Sequence, residues 1–326
     1  MPSTSPLTIA IAGSGDLTRY ISEELLSRNH NVILLVRSEK PHFKSIPNLV
    51  QETVDYTSVN SLTNALNKHN AIALISTILT YDTQAFISTH ENLIAAAIAA
   101  KTVIRFIPSE YGVNIRDYPD QPGFYWETRE PIRRLLRAQN SKEKKLEYTL
   151  ICCGWLLDYI VPKENRYMKD IGDAFPVNIA EKRAVIPGIG KELVDFISAR
   201  DLAKGLVRLL EVPSGMWEEY VFLSGEQLSC DQLVEAVRTF YGWNEEGEFE
   251  VKYLSLRELV NEVRDARDEF GRIEAEYMIV IPSGSAALDG KVVKAHREKY
   301  FSDVKFRGVR EVLEISRAGE GEEVIV

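Results

Sequence analysis

The sequence predicts an α/β protein whose first half forms a doubly wound parallel sheet. Short apolar runs of strand length alternate with amphipathic stretches between about residues 7 and 152. Most of these runs are predominantly apolar, which is typical of strands that are buried on both faces of a parallel sheet. A glycine-rich turn joins the first run to the first amphipathic stretch. Right-handed crossovers then wind such a sheet in both directions.

The predicted elements of this sheet follow one another in a regular order. The strands are the runs LTIAIAG, NVILLVR, Leu49–Thr53, AIALIST, TVIRFI and EYTLICC. Helices are predicted at 17–28, Val59–Asn67, about 83–100 and about 129–140. We therefore assign residues 1–155 to a first domain that contains the sheet.

Beyond residue 155 the alternation is less regular. Strands are predicted in AVIPGIG, VDFIS and EEYVFLS, and a helix in ARDLAKGLVRLLE that is capped by Ser198 or Asp201. A second helix, SCDQLVEAVRTFYG, ends on Gly242, and the charged stretch 255–276 is also helical. NSKEKK (140–145) is predicted to be a surface loop, and AGEGEEVIV a solvated tail whose VIV can pair with a sheet edge. We assign 156–326 to a smaller mixed α/β part that binds substrate, with segments near 190–225 returning to the first domain.

Composition excludes several classes of function. A net charge of −9 argues against a general nucleic-acid binder, because nothing would offset phosphate repulsion. The N-terminus lacks a basic region, and no stretch reaches the ~20 apolar residues of a membrane span. Three cysteines make no disulfide framework, and five scattered histidines show no metal-ligand spacing, so we expect no metal. The expected protein is cytoplasmic and is a monomer or homodimer.

The turn AIAGSGDLTRY (10–20) has the spacing of a dinucleotide-binding loop. Gly13 permits a tight turn, and Gly15 lets a ligand approach the main chain closely. Backbone N–H groups of the turn and of the helix start, at Asp16, Leu17 and Thr18, can then face a pyrophosphate. Thr18 stands where a third glycine usually allows the helix to pack near the strand. The alternative is a tight β–α turn that binds no ligand.

The end of the second strand indicates which dinucleotide is bound. An NAD-specific protein carries Asp or Glu there to accept from the ribose 2′-hydroxyl. This strand instead ends in LLVRSEKPHFK, which places Arg37 at the tip, followed by Ser38 and Lys44. A guanidinium can bind a 2′-phosphate through two hydrogen bonds, so we predict NADP(H). The alternative is an ordinary exposed arginine at a strand end.

The stretch RFIPSEYG (105–112) resembles the RF-[LIV]-PSE-[FY]-G signature of NmrA-like and isoflavone-reductase-like proteins. These are atypical extended short-chain dehydrogenases with a Rossmann domain. The glycine loop, VDYTSVNSL (54–62) and ISARDLAKGL (197–206) also match, and the resemblance covers about residues 7–225. It implies NADP(H) binding at the carboxyl edge of the sheet, beside Ser76 and Thr77. It also places Gly154 and Trp155 in the wall next to the nicotinamide.

The chain departs from its relatives at one reactive position. Reductases of this family carry a lysine just after the signature, and here WETREPIRR (126–134) places Arg129 at that position. Lysine can transfer a proton, whereas arginine stays charged, so Arg129 is expected to orient substrate or stabilise an oxyanion. The alternative is a surface arginine at a helix start. Glu110 and Tyr111 follow the fifth strand at the ligand edge and are the other candidate catalytic groups.

These observations favour an NADP(H)-dependent oxidoreductase of the isoflavone-reductase-like group. Its expected substrate is a small aromatic or heterocyclic natural product of secondary metabolism. Because Arg129 replaces the family lysine, a redox-neutral isomerisation or rearrangement is a variant of this hypothesis. The alternative from another class is an NmrA-type sensor that binds NADP(H) and a protein partner without catalysis.

Overall fold

The computed structural model describes residues 5–139, 146–318 and 325–326. Its main sheet has six parallel strands in the order β3-β2-β1-β4-β5-β6. Their bounds are β1 Thr8–Ala12, β2 Asn31–Val36, β3 Leu49–Thr53, β4 Ala73–Ser76, β5 Arg105–Ile107 and β6 Glu147–Tyr148. This order runs outward from β1 in both directions, so the predicted doubly wound parallel sheet is confirmed.

α-Helices follow β1, β3, β4 and β5 of this sheet, as the alternation of the sequence predicts, whereas β2 leads to β3 through the short 3-10 helix Pro41–Phe43. The α-helices are α1 Asp16–Ser27, α2 Val59–Lys68, α3 Thr83–Ala99, α4 Gly123–Thr128 and α5 Glu130–Ala138. The strands at the centre are buried almost completely, with Ile9, Ile11, Leu34 and Leu35 at 0% exposure. Such burial on both faces explains why these runs are predominantly apolar rather than alternating.

Smaller sheets and further helices make up most of the rest of the chain. The strands are β7 Leu150–Cys152, β8 Trp155–Leu156, β9 Val177–Asn178, β10 Arg183–Pro187, β11 Leu193–Ile197, β12 Tyr220–Phe222, β13 Glu226–Ser229 and β14 Glu250–Leu254. They form the sheets β14-β10-β9, β13-β11-β8 and β12-β7, of which the first two are mixed. The helices are α6 Ala199–Glu211, α7 Cys230–Tyr241, α8 Leu256–Asp265, α9 Glu269–Ile279, α10 Gly290–Tyr300 and α11 Val309–Ala318.

The chain forms two compact units. Unit 1 comprises the described residues of 1–110, 127–151 and 203–221, and unit 2 those of 111–126, 152–202 and 222–326. Unit 1 contains the six-stranded sheet, and unit 2 contains β8 to β11, β13 and β14. Within the described ranges, no helix combines the length and the apolar character needed to cross a membrane.

The structure refines several of the predicted elements. EYTLICC divides at the buried Thr149 into β6, which pairs with β5, and β7, which pairs with β12. The stretch 255–276 holds two helices, because the Asp268 side chain accepts from the Gly271 N–H and begins α9. Of the two proposed caps for α6, Ser198 accepts from the Asp201 N–H at 3.1 Å.

Two predicted segments fall wholly or partly outside the described residues. The loop 140–145 lies outside them, as does the tail from 319 to 324. At the end of the chain, Val326 is fully buried and its N–H donates to the Asn165 carbonyl oxygen at 3.0 Å. The last residue is therefore packed against unit 2 rather than solvated, although residues 325–326 form no strand.

Candidate functional site

The turn after β1 has a conformation that requires glycine at its first position. Gly13 has a φ of +114°, a region that residues with a side chain rarely adopt. A Cβ atom at Gly13 would lie 2.5 Å from Oγ1 of Thr77, which follows β4. Gly13 is therefore fixed by the backbone of the turn and by its close approach to β4.

Gly15 occupies a different environment from Gly13. It is the N-cap of α1 with a φ of −84°, which any residue can adopt, and apart from its chain neighbours no heavy atom lies within 4 Å of where its Cβ would be. The protein itself therefore does not need glycine here. The open space lies at the N-terminus of a 12-residue helix, where Asp16 and Leu17 begin the first turn. Backbone N–H groups and the helix dipole favour an anionic group at such a position.

Thr18 links α1 to β4 at the position of the missing third glycine. It is fully buried, and its Oγ1 lies 2.8 Å from Oγ1 of Thr77. The Thr77 hydroxyl donates to the Ala12 carbonyl oxygen at 3.2 Å, so Thr18 must be the donor to Thr77. A small polar side chain thus replaces the close helix packing that glycine would allow.

We expect Thr18→Gly to retain cofactor binding while it destabilises the fold. The substitution removes one buried hydrogen bond and adds a glycine inside a helix, each of which costs about 1 kcal/mol. Thermal unfolding and NADPH titration of the same variant measure the two effects separately. A loss of NADPH affinity larger than about 12-fold in a folded Thr18→Gly protein, which is more than one lost hydrogen bond explains, would show that Thr18 also contacts the ligand.

The residues after β2 form an exposed cationic segment. Arg37, Ser38 and Lys44 are all exposed, and no carboxylate in the described part of the chain forms an ion pair with Arg37. Desolvation lowers the pKa of His42, the positive charges of Arg19 and Lys40 lower it further, and the Asp16 carboxylate raises it. Arg37, Lys40 and Lys44 supply three cations along the segment that follows β2, an arrangement that suits a phosphate.

Ser76 and Thr77, at the end of β4, have different surroundings. Ser76 is fully buried, and its hydroxyl lies 2.9 Å from Nε2 of His90 on α3. Burial lowers the pKa of His90 to about 4, so this imidazole is neutral. Thr77 is half-buried and contacts the glycine turn, as described above. No sequence pattern points to His90, because Ser76 and His90 are 14 residues apart on different elements.

Arg129 is buried, so it is not the surface residue of the alternative interpretation. Its exposure is 3%, its guanidinium lies over the Phe86 ring at 4.1 Å, and its Nη1 donates to Oγ1 of Thr128 at 2.7 Å. It is the N-cap residue of α5. A planar cation is thereby held in one orientation by a ring and a hydrogen bond.

Glu110 forms a buried ion pair with Arg133 of α5. Nε and Nη2 of Arg133 donate to the two carboxylate oxygens at 2.9 and 2.8 Å, and both side chains are at most 1% exposed. This bidentate pair joins the last residue of the PSE motif to the helix that begins after Arg129. Glu110 was predicted from the sequence to be a candidate catalytic group, but its partner Arg133 was not predicted.

The other three predicted site residues belong to unit 2. Tyr111 is half-buried, and burial raises the pKa of its hydroxyl well above the ordinary value. Gly154 has a φ of +68°, and a Cβ there would lie 2.0 Å from the Asp195 carbonyl oxygen. Trp155 is 8% exposed and packs near Phe175 and Tyr277, with ring centroids 6.0 and 5.7 Å away.

The chain belongs to the NmrA-like family, whose model matches residues 5–255. A relative from Metarhizium robertsii named "Oxidoreductase swnR" is 43% identical over 309 residues, covering 94% of this chain and 96% of the relative. A protein of the same name from Arthroderma benhamiae is 42% identical over 307 residues, with the same two coverages. The resemblance inferred from RFIPSEYG is therefore confirmed.

A solved structure shares the fold over nearly the whole chain. The complex described as "AtPrR2 with NADP+ and (+)pinoresinol" has a TM-score of 0.72 at 18% identity. The likeness covers 96% of this chain and 99% of that chain. At this identity the comparison establishes the common fold.

Proposed function

We propose that this protein is an NADP(H)-dependent oxidoreductase of the isoflavone-reductase-like group. The observation that carries the proposal is the open space at Gly15, at the N-terminus of α1. The names of the two swnR relatives and the NADP+ in the AtPrR2 complex support it. We further propose that the protein is cytoplasmic and acts in secondary metabolism on a small aromatic or heterocyclic compound.

The residues of unit 1 fit an NADP(H) molecule. The turn from Gly13 to Thr18 would hold the pyrophosphate, and Arg37, with Ser38 and Lys44 nearby in the chain, would hold the 2′-phosphate. When bound, the cofactor supplies or accepts a hydride. We also propose that Gly154 and Trp155 line the nicotinamide wall, as the resemblance implies.

Arg129 is proposed to act as a fixed cation that stabilises negative charge on a substrate oxygen. Its contacts with Phe86 and Thr128 hold the guanidinium in place, so little reorganisation is needed as charge develops. Arginine stays protonated, so it cannot be the base. Tyr111 is proposed to donate a hydrogen bond, since its raised pKa keeps the hydroxyl neutral. Glu110 is proposed to act through Arg133, as a positioning residue for α5.

Arg37→Ala is expected to weaken NADPH binding and to leave NADH binding nearly unchanged. Loss of a charge-assisted contact with the 2′-phosphate should cost about 1.5–3 kcal/mol. Only NADPH carries that phosphate. Parallel titrations of the wild type and the variant with both dinucleotides measure the effect. Arg134→Ala serves as the control, because that side chain is 64% exposed and pairs with Glu130 on α5. Equal affinities of the wild type for NADPH and NADH would contradict the assignment of Arg37.

The enzymatic proposal is tested with NADPH and a panel of enone and imine substrates. An oxidoreductase consumes one NADPH for each product formed. A redox-neutral rearrangement instead changes the substrate while the NADPH concentration stays constant. A protein that binds NADPH, turns over no panel member and retains a protein in a pull-down would favour the sensor alternative.

A further inference from the structure

The Tyr56 side chain contacts the glycine turn from the segment that follows β3. Its hydroxyl donates to the Leu35 carbonyl oxygen at 2.6 Å and accepts from the Gly13 N–H at 3.1 Å. The same Gly13 N–H lies 3.4 Å from the Leu35 oxygen. Burial raises the pKa of Tyr56, so the hydroxyl keeps its proton and its donor role is fixed. Tyr56 thus ties the turn to the end of β2.

Thr77 contacts the same turn from the end of β4. Its hydroxyl donates to the Ala12 carbonyl oxygen and accepts from Thr18, so it joins the last residue of β1 to α1. It also fills the space left by the absent side chain of Gly13, where a Cβ would lie 2.5 Å from Oγ1. Two hydroxyl groups therefore hold both ends of the turn.

These contacts give the residues of the turn different roles. The Gly13 N–H is already bonded within the protein, so Gly13 shapes the turn rather than binding an anion. Gly15, at the N-terminus of α1, lies by contrast next to open space. Any ligand bound there depends on how well Tyr56 and Thr77 hold the turn in place.

We propose that Tyr56 and Thr77 are positioning residues that hold the 13–18 turn in its ligand-binding conformation before a dinucleotide arrives. This inference rests on the proposed function. A preformed turn avoids the entropic cost of ordering during binding. The pyrophosphate is common to NADPH and NADH, so both residues act equally on the two cofactors, whereas Arg37 acts on NADPH alone.

The test compares Tyr56→Phe, Thr77→Val and the double variant with the wild type. Each single variant loses one hydroxyl, and affinity for NADPH and NADH is expected to fall by the same factor, about 2- to 12-fold. The NADPH/NADH affinity ratio stays at the wild-type value. Thr77→Ser retains the hydroxyl and is therefore expected to bind NADPH and NADH with the wild-type affinities. Tyr253→Phe is the matched control, because its hydroxyl contacts Asp231 in unit 2 at 2.9 Å.

Amide hydrogen exchange of the ligand-free protein provides a second readout. Tyr56→Phe is expected to speed exchange at Gly13, while thermal unfolding shows that the fold persists. The inference is overturned if the double variant binds both dinucleotides within twofold of the wild type, if the affinity ratio changes, or if Gly13 exchange is unaltered. A wild type that binds neither dinucleotide contradicts the proposed function instead. The exchange measurement then still decides whether the two hydroxyls hold the turn.

Discussion

Gly15→Val is expected to abolish NADPH binding while the protein remains folded. The valine side chain would occupy the open space at the N-terminus of α1, where we place the pyrophosphate. We expect affinity to fall at least about 100-fold, which corresponds to ~2.8 kcal/mol. The φ and ψ of Gly15 are extended, so valine fits the backbone, and the change of N-cap costs about 1 kcal/mol or less. Fluorescence titration and thermal unfolding measure the two quantities.

Gly290→Val is the matched control for this variant. Gly290 also lies at the start of a helix, α10, and a Cβ there meets no atom within 4 Å. We place no ligand at Gly290, so this variant should bind NADPH as the wild type does. If folded Gly15→Val binds NADPH normally, the turn is only a β–α connection and the cofactor proposal is wrong.

Arg129→Ala is expected to lower turnover by roughly 10²–10³-fold, the effect of removing one oxyanion donor. NADPH affinity should fall much less, because the contacts of the glycine turn and Arg37 remain. Arg129→Lys should not restore the native rate, since a flexible ammonium loses the planar contact with Phe86. Steady-state kinetics use a member of the enone and imine panel that the wild type turns over. Together with NADPH titration, they separate the effect on turnover from the effect on NADPH affinity.

Arg134→Ala is the control for Arg129→Ala. Arg134 lies on α5 and its side chain is 64% exposed, so its loss should leave turnover unchanged. Arg129 is buried, so unfolding curves must show that Arg129→Ala is folded at the assay temperature. Full activity of a folded Arg129→Ala protein would show that Arg129 has no role in the reaction.

The main sheet could be predicted from the sequence because most of its strands are recognisable from their local amino-acid composition. The runs LTIAIAG and AIALIST are predominantly apolar, and each is followed by a helix of recognisable period. Local composition does not show which strand pairs with which. EYTLICC looks like one strand, yet its two halves pair with β5 and β12, and only the folded chain brings β12 to Leu150.

The candidate site was predicted in part for a similar reason. Gly13, Gly15 and Arg37 belong to a local motif, so a single sequence can indicate them. The groups that hold this motif come from distant segments. Tyr56 is 43 residues from Gly13, and Thr77 is 59 residues from Thr18. No spacing rule connects these pairs, and the role of Thr18 as a donor to Thr77 became apparent only from the hydrogen-bond directions.

Equilibrium titration of the wild-type protein with NADPH and with NADH tests the central claim most directly. We predict that one NADPH binds per chain, with an affinity at least about tenfold higher than that for NADH, as expected from a charge-assisted contact with the 2′-phosphate. Absence of NADPH binding, or equal affinity for the two dinucleotides, would contradict it.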